Sequence, residues 1–218
     1  MIQKKVANLT EEKDVLNTKT TIKTVPVAEP AVLGLIGLAV AALVLASADL
    51  KLASNVEKSL MIPWILMFGA TAQLIAGVME FKRNNVFGAT VFSVYAMTMF
   101  SIALTLFINN STIVNKGDIT YYAYGLIGIL IFSLIATMAS LMTNKILFGI
   151  LIAVDLSVAF LIPHYLYEIS AQPAGVFLLI TSILSFYTAA AIILNTMAGK
   201  NILPLGKAIW TPKNNIVP

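Results

Sequence analysis

Residues 31–48 read AVLGLIGLAVAALVLASA, without one ionisable side chain. A helix rises about 1.5 Å per residue, so a run of this length covers most of the roughly 30 Å of hydrocarbon in a bilayer. Five more apolar runs follow, at Leu60–Met79, Val86–Ile108, Tyr121–Met142, Ile146–Tyr165 and Ala174–Leu194. The sequence therefore predicts an all-α integral membrane protein with six transmembrane helices per protomer. Pro30, Pro63 and Pro173 fall at or just inside helix starts, where a missing amide hydrogen costs little. The links Asp49–Ser59, Glu80–Asn85, Asn109–Thr120, Thr143–Lys145 and Leu166–Pro173 leave no room for a second domain. The expected organisation is a polar N-terminal segment over 1–29, a six-helix domain over 30–195 and a tail over 196–218.

Composition supports the same class. Of 218 residues 59% are apolar and 11% charged, with a mean hydropathy of +0.90, beyond what a charged soluble surface permits. Nine of the charged side chains lie within residues 1–29, which lack the apolar core and cleavage site of a signal peptide and are expected to stay attached. Cysteine is absent, which excludes disulfides, a thiol nucleophile and Cys-type zinc sites. One histidine, His164, cannot build a multi-histidine metal centre, and no Ser-His-Asp set or Gly-x4-Gly-Lys phosphate loop can be assembled. The expectation is no enzyme, with no catalytic residue, metal or cofactor. The net charge of +4 is read as membrane-orienting rather than nucleic-acid-binding.

Positive loops resist translocation. With the N-terminus inside, eleven Lys and Arg fall on the inner side and only Lys51, Lys58 and Lys116 outside. Both termini are thus expected to be cytoplasmic. Trp64, Tyr121, Tyr122, Tyr165 and Tyr167 suit an aromatic belt at the outer boundary.

Polar groups inside the runs are the candidates for function. Gly69, Gln73 and Gly77 form a stripe at spacing four. Gln73 either ties two helices together or lines a wet passage, since hydrocarbon satisfies none of its donors and acceptors. Thr90, Thr98, Ser101 and Thr105 form a second stripe, Ser133, Thr137, Ser140 and Asn144 a third, and Thr181, Ser185, Thr188 and Asn195 a fourth. Converging, they wall an uncharged hydroxyl-lined pore; singly, each hydroxyl can bond its own helix carbonyl one turn back.

Asp155 lies mid-run, where a carboxylate costs about 2.5 kcal/mol or more. It faces water, spends part of its time as the neutral acid in a proton-linked process, or is a hydrogen-bonded strut between helices. Glu80 beside Lys82 and Arg83 reads as an interfacial salt bridge or cap, or as part of a vestibule. His164, after Pro163, reads as a hydrogen-bonded boundary residue.

Two stretches carry a resemblance. Glu29-Pro30-Ala31-Val32-Leu33-Gly34-Leu35 resembles the Asn-Pro-Ala-Pro-Leu-Gly-Leu signature of the acetate/succinate uptake transporter family, SatP/YaaH type. Gln73, Gly77, Glu80, Asn85, Phe87, Gly88, Ala89 and Thr90, followed by Tyr95, match the same family's helix two to helix three stretch in order and spacing. The resemblance implies a homo-hexamer of six-helix protomers in the plasma membrane, each with its own path for acetate and to some extent succinate. It also implies an apolar constriction at Leu38, Tyr95 and Val154; the polar residues Gln73, Thr98 and Asp155 are expected along the same path from their own chemistry, apart from the resemblance. Leu38 stands where the family usually has Phe, and Val94-Tyr95-Ala96 replaces Ser-Tyr-Gly, so width and preference are open. Asp155 lies outside the family pattern and favours a proton-linked mechanism or a changed substrate. The alternatives are a passive channel for a small neutral solute such as urea, and a scaffold protein in which the stripes merely pack.

Overall fold

The computed structural model describes residues 27–52, 58–112 and 117–211. The polar segment 1–29 lies outside the described residues except for its last three. Among the described residues, six helices are long and apolar enough to cross a membrane: α1 (Ala31–Asp49), α2 (Met61–Lys82), α3 (Val86–Asn110), α4 (Thr120–Ser140), α5 (Lys145–Tyr167) and α6 (Gln172–Ala198). They match the six apolar runs to within a few residues.

Alternating directions put the start of α1 and the end of α6 at one end of the bundle, called the near end below. The links after α1, α3 and α5 lie at the far end. α1 packs against α2 and α6, α5 lies between α4 and α6, and α2 lies against α3, while α3 touches α4 only loosely. Small residues make the α1 contacts possible, because lipid does not drive helices together and close approach must. Ala39, Ala41 and Ala42 are fully buried, and Ser182 on α6 donates to the Ala39 carbonyl on α1 at 2.8 Å. A Cβ on Gly37 would collide with the Phe68 carbonyl of α2. The outward faces are apolar, with Ile135, Met138 and Ile183 well exposed, as a lipid-facing surface requires.

Between Ile65 and Ala72 α2 widens into a π-helix, which the apolar pattern did not predict. Thr71 fits that geometry, its hydroxyl donating to the Leu66 carbonyl five residues back at 2.8 Å. Such wide turns are uncommon and concentrate at functional sites.

At the near end Arg83 bonds Glu29 at 2.7 Å, joining the end of α2 to the approach to α1. Burial opposes the Arg83 charge, but the bond to Glu29 outweighs it and holds the guanidinium's value above the ordinary one. Part of the C-terminal stretch packs back on the bundle. Asn195 accepts from the amides of Ile202 and Leu203, Tyr187 donates to the Pro204 carbonyl at 2.9 Å, and the amides of Ile209 and Trp210 both donate to the Leu141 carbonyl.

Candidate permeation pathway

Among the described residues, a cavity opens toward each end of the bundle interior, apart from a groove between α3 and α4 lined by Ser93, Met97, Thr98 and Leu126. The far cavity, about 110 Å³, is bordered by Asp49 and Lys58 at its mouth, by Tyr122 and Tyr165, and deeper by Thr98, Thr105, Thr181 and Val154. The near cavity, about 140 Å³, is bordered by Gln73, Glu80, Asn85 and Asn144 and by an apolar wall of Leu35, Phe92, Ile150 and Leu151. Each is large enough for several water molecules. Leu38 and Tyr95 border both. They are 6% and 4% exposed and form the partition between the halves.

Tyr95 is held from outside the path. Its hydroxyl lies 2.7 Å from Ser133 Oγ on α4. Ser133 in turn donates to Asp155 on α5 through a very short hydrogen bond, and Thr137 donates to the second oxygen of Asp155 at 2.7 Å. The Phe132 ring meets the Tyr95 ring edge-on at 5.8 Å between centroids. Asp155, 8% exposed, is thus a hydrogen-bonded link between α4 and α5, the strut among the readings open from sequence. It turns toward α4, whereas its neighbour Val154 borders the far cavity.

Gln73 departs from the interhelical bond weighed above. Its Nε2 donates to Gly69 within the same helix at 2.7 Å, and its buried Oε1 has no protein partner beside the near cavity. The wet-passage reading is the one this geometry supports. Glu80 keeps a long ion pair with Arg83, as the interfacial reading expected, and also borders the near cavity. It is fully buried, accepts from Asn85 at 2.9 Å, and lies 3.9 Å from Arg83, whose close partner is Glu29.

The motif residues build the turn that shapes the near cavity. Asn85 caps α3, its side-chain oxygen accepting from the Gly88 amide at 3.1 Å while its Nδ2 serves Glu80. A Cβ on Gly88 would sit 2.7 Å from Asn85 Nδ2 and 3.1 Å from the Glu80 side chain, so glycine leaves the room for this pair. Gly77 lets α2 reach Ser93 on α3, and Gly34 lies under the Phe92 ring. Phe87 borders the near cavity, while Pro30 sits at the cap of α1 and Leu33 is 43% exposed.

The hydroxyl stripes do not act as one wall. Thr98, Thr181 and Thr188 border the cavities but spend their protons on carbonyls one turn back, at 2.8 to 3.0 Å. They present oxygen lone pairs to the path. Asn144 caps α5, and His164 bonds the Ile169 carbonyl at the far end. Spacing along one helix could not reveal that Ser133 and Thr137 hold Asp155, or that Asp49 and Lys58 border the same cavity mouth.

A sequence profile of the GPR1/FUN34/YaaH family matches residues 13–204. The chain belongs to this family. Acetate permease A of Emericella nidulans is 27% identical over 202 residues, which is 85% of this chain and 68% of the permease. A protein of Methanothermobacter thermautotrophicus, described as uncharacterized, is 32% identical over 106 residues, 49% of this chain and 48% of its own length. Among solved structures, the bacterial acetate channel SatP shares the fold with a TM-score of 0.77 at 23% identity, over 83% of this chain and all of the channel. The resemblance drawn from residues 29–95 is therefore borne out at the level of the GPR1/FUN34/YaaH family, and the six-helix membrane architecture with it.

Proposed function

We propose that the chain conducts acetate and related small carboxylates, succinate to some extent, along the far cavity, past Leu38 and Tyr95, and out through the near cavity. The observation that carries this reading is the pair of cavities meeting at one apolar and one phenolic side chain. A carboxylate with one methyl group can shed its water there, because Leu38 accepts the methyl and polar groups on either side replace part of the lost solvation. Lys58 at the far mouth supplies a cation where an anion would enter. Asp155, two hydrogen bonds from Tyr95, favours proton-linked passage over free anion flow. In this reading the protein is a homo-hexamer in the plasma membrane with both termini cytoplasmic, as the lysine distribution supports. No enzymatic step is involved.

The second reading, a passive path for a neutral solute such as urea, draws on Thr98, Thr181 and Thr188, whose lone pairs line the cavities without a charge. Flux of labelled acetate and of urea into proteoliposomes, with and without an inward proton gradient, separates the two. Acetate flux above that of empty vesicles, raised by the gradient, supports the first reading. Urea flux without acetate flux supports the second.

A further inference from the structure

We propose that Asp155 is a positioning residue that sets, by gaining or losing one proton, whether the Tyr95 hydroxyl offers a donor or only an acceptor to the path. The inference rests on the acetate reading for its consequence and on the hydrogen-bond geometry for its mechanism. Ser133 has one hydroxyl hydrogen, and it points at Asp155. Its bond to Tyr95 must then be one in which Tyr95 donates and Ser133 accepts. With Asp155 ionised, the chain of donors runs Tyr95 to Ser133 to Asp155, and Thr137 donates to the other carboxylate oxygen. The phenol hydrogen is consumed behind the wall, and only oxygen lone pairs face the path. A carboxylate substrate, itself acceptor-only, finds no partner at the narrowest point.

One proton on the Asp155 oxygen nearest Ser133 reverses the chain. The new O–H donates to Ser133, Ser133 swings its hydrogen toward the Tyr95 oxygen, and the phenol hydrogen is released toward the path, where it can donate to a passing carboxylate. Each hydroxyl keeps its own hydrogen, and the only net change is the one proton that Asp155 takes up. Thr137 goes on donating throughout. Among the described residues no other charged group intervenes. α4 and α6, the helices packed on α5, carry no titratable group but tyrosines. Tyr122 is engaged with Tyr165 at 4.8 Å between ring centroids, and Tyr187 with Pro204 at the near end. On α5 itself Lys145 and His164 sit near the two ends. Tyr95 from α3 is the titratable group that meets this network.

Two measurements on the purified full chain test the proposal, the first without any need for transport. In infrared difference spectra across a pH titration, wild type is expected to show a protonated-carboxyl band on acidification together with a shift of the tyrosine C–O band. Asp155→Asn should lose both, and Ser133→Ala should keep the carboxyl band but lose the tyrosine shift. A carboxyl band with no tyrosine shift in wild type, or no band belonging to Asp155, overturns the proposal. In the second, acetate exchange is followed at equal pH on both sides of the vesicle and constant acetate anion concentration. The bond made available at Tyr95 is charge-assisted, so wild-type exchange should change by roughly tenfold between acid and neutral pH. That change should vanish in Asp155→Asn, Ser133→Ala and Tyr95→Phe and persist in Thr137→Val, whose hydroxyl holds the carboxylate but does not touch Tyr95. A pH response that survives in Ser133→Ala means that the Asp155 charge acts by its field and not through the hydroxyls, and the proposal falls. If wild-type vesicles take up no acetate at all, the acetate reading fails, while the spectra still decide the switch.

Discussion

Leu38 on α1 and Tyr95 on α3 are the two side chains that border both the far and the near cavity. Both are nearly fully buried, and in the proposed path a solute crossing from one half to the other passes this aliphatic and this phenol. Val154 borders only the far side, so the three constriction residues implied by the family resemblance are unequal.

Truncation should show the inequality. Leu38→Ala should admit larger monocarboxylates such as lactate, because rejection at an apolar wall is steric and worth roughly 1–3 kcal/mol per methylene-sized change. Val154→Ala should shift the lactate-to-acetate flux ratio less. Equal shifts from the two variants, or none, would contradict the placement of the partition.

The turn between α2 and α3 depends on one amide. Asn85→Ala removes a helix cap, worth about 0.5–2 kcal/mol, and also deprives the buried Glu80 carboxylate of its donor. A lowered melting temperature in detergent is expected. Asn85→Asp should recover only part of it, since Asp restores the cap but places a second carboxylate beside the first.

Close approach of α1 and α2 is testable at one glycine. In Gly37→Ala the new methyl meets the backbone carbonyl of Phe68, which cannot swing aside, so a loss of about 1–3 kcal/mol from overpacking is expected. Gly149→Ala is the control. Its Cβ would find only Leu184 at 3.6 Å, and alanine favours the helix by about 0.8–1 kcal/mol. Comparable melting temperatures for the two variants would argue against the α1–α2 contact.

At the start of α4 the hydroxyl and amide of Thr120 hold the Asp118 carboxyl below its ordinary value. A value depressed on folding means the contribution is present at neutral pH, where the carboxylate is ionised in both states. It is lost as pH falls through the folded value. Hydrogen exchange at Tyr121 and Tyr122 should therefore quicken in acid relative to the rest of α4. Asp118→Asn should exchange at the faster rate already at neutral pH.

The six spans were legible because apolar runs near 20 residues in length, broken by short polar links, have few other solutions. The α2–α3 turn was legible only as a family motif: the sequence set Glu80 beside Lys82 and Arg83, and the Asn85 side chain that caps α3 and serves Glu80 came from the fold. The partners of Asp155 were not. Ser133 and Thr137 lie on another helix, and no periodicity states which helix faces which. Gln73 was left between two readings for a related reason: an amide can satisfy its donor on its own helix, here on Gly69, and leave its acceptor to the cavity, which spacing alone does not decide. The widened turn at Ile65–Ala72 has no composition signal of its own, because the same residues make an ordinary helix elsewhere.

Plugging the partition tests the account most directly. Leu38→Trp fills the space where the two cavities meet and leaves Tyr95, Asp155 and the far mouth in place. In proteoliposomes matched for protein content, with folding checked by the melting transition, wild type should take up labelled acetate above empty vesicles and Leu38→Trp should fall to the empty-vesicle level. Acetate uptake by folded Leu38→Trp at the wild-type rate would contradict a path between Leu38 and Tyr95.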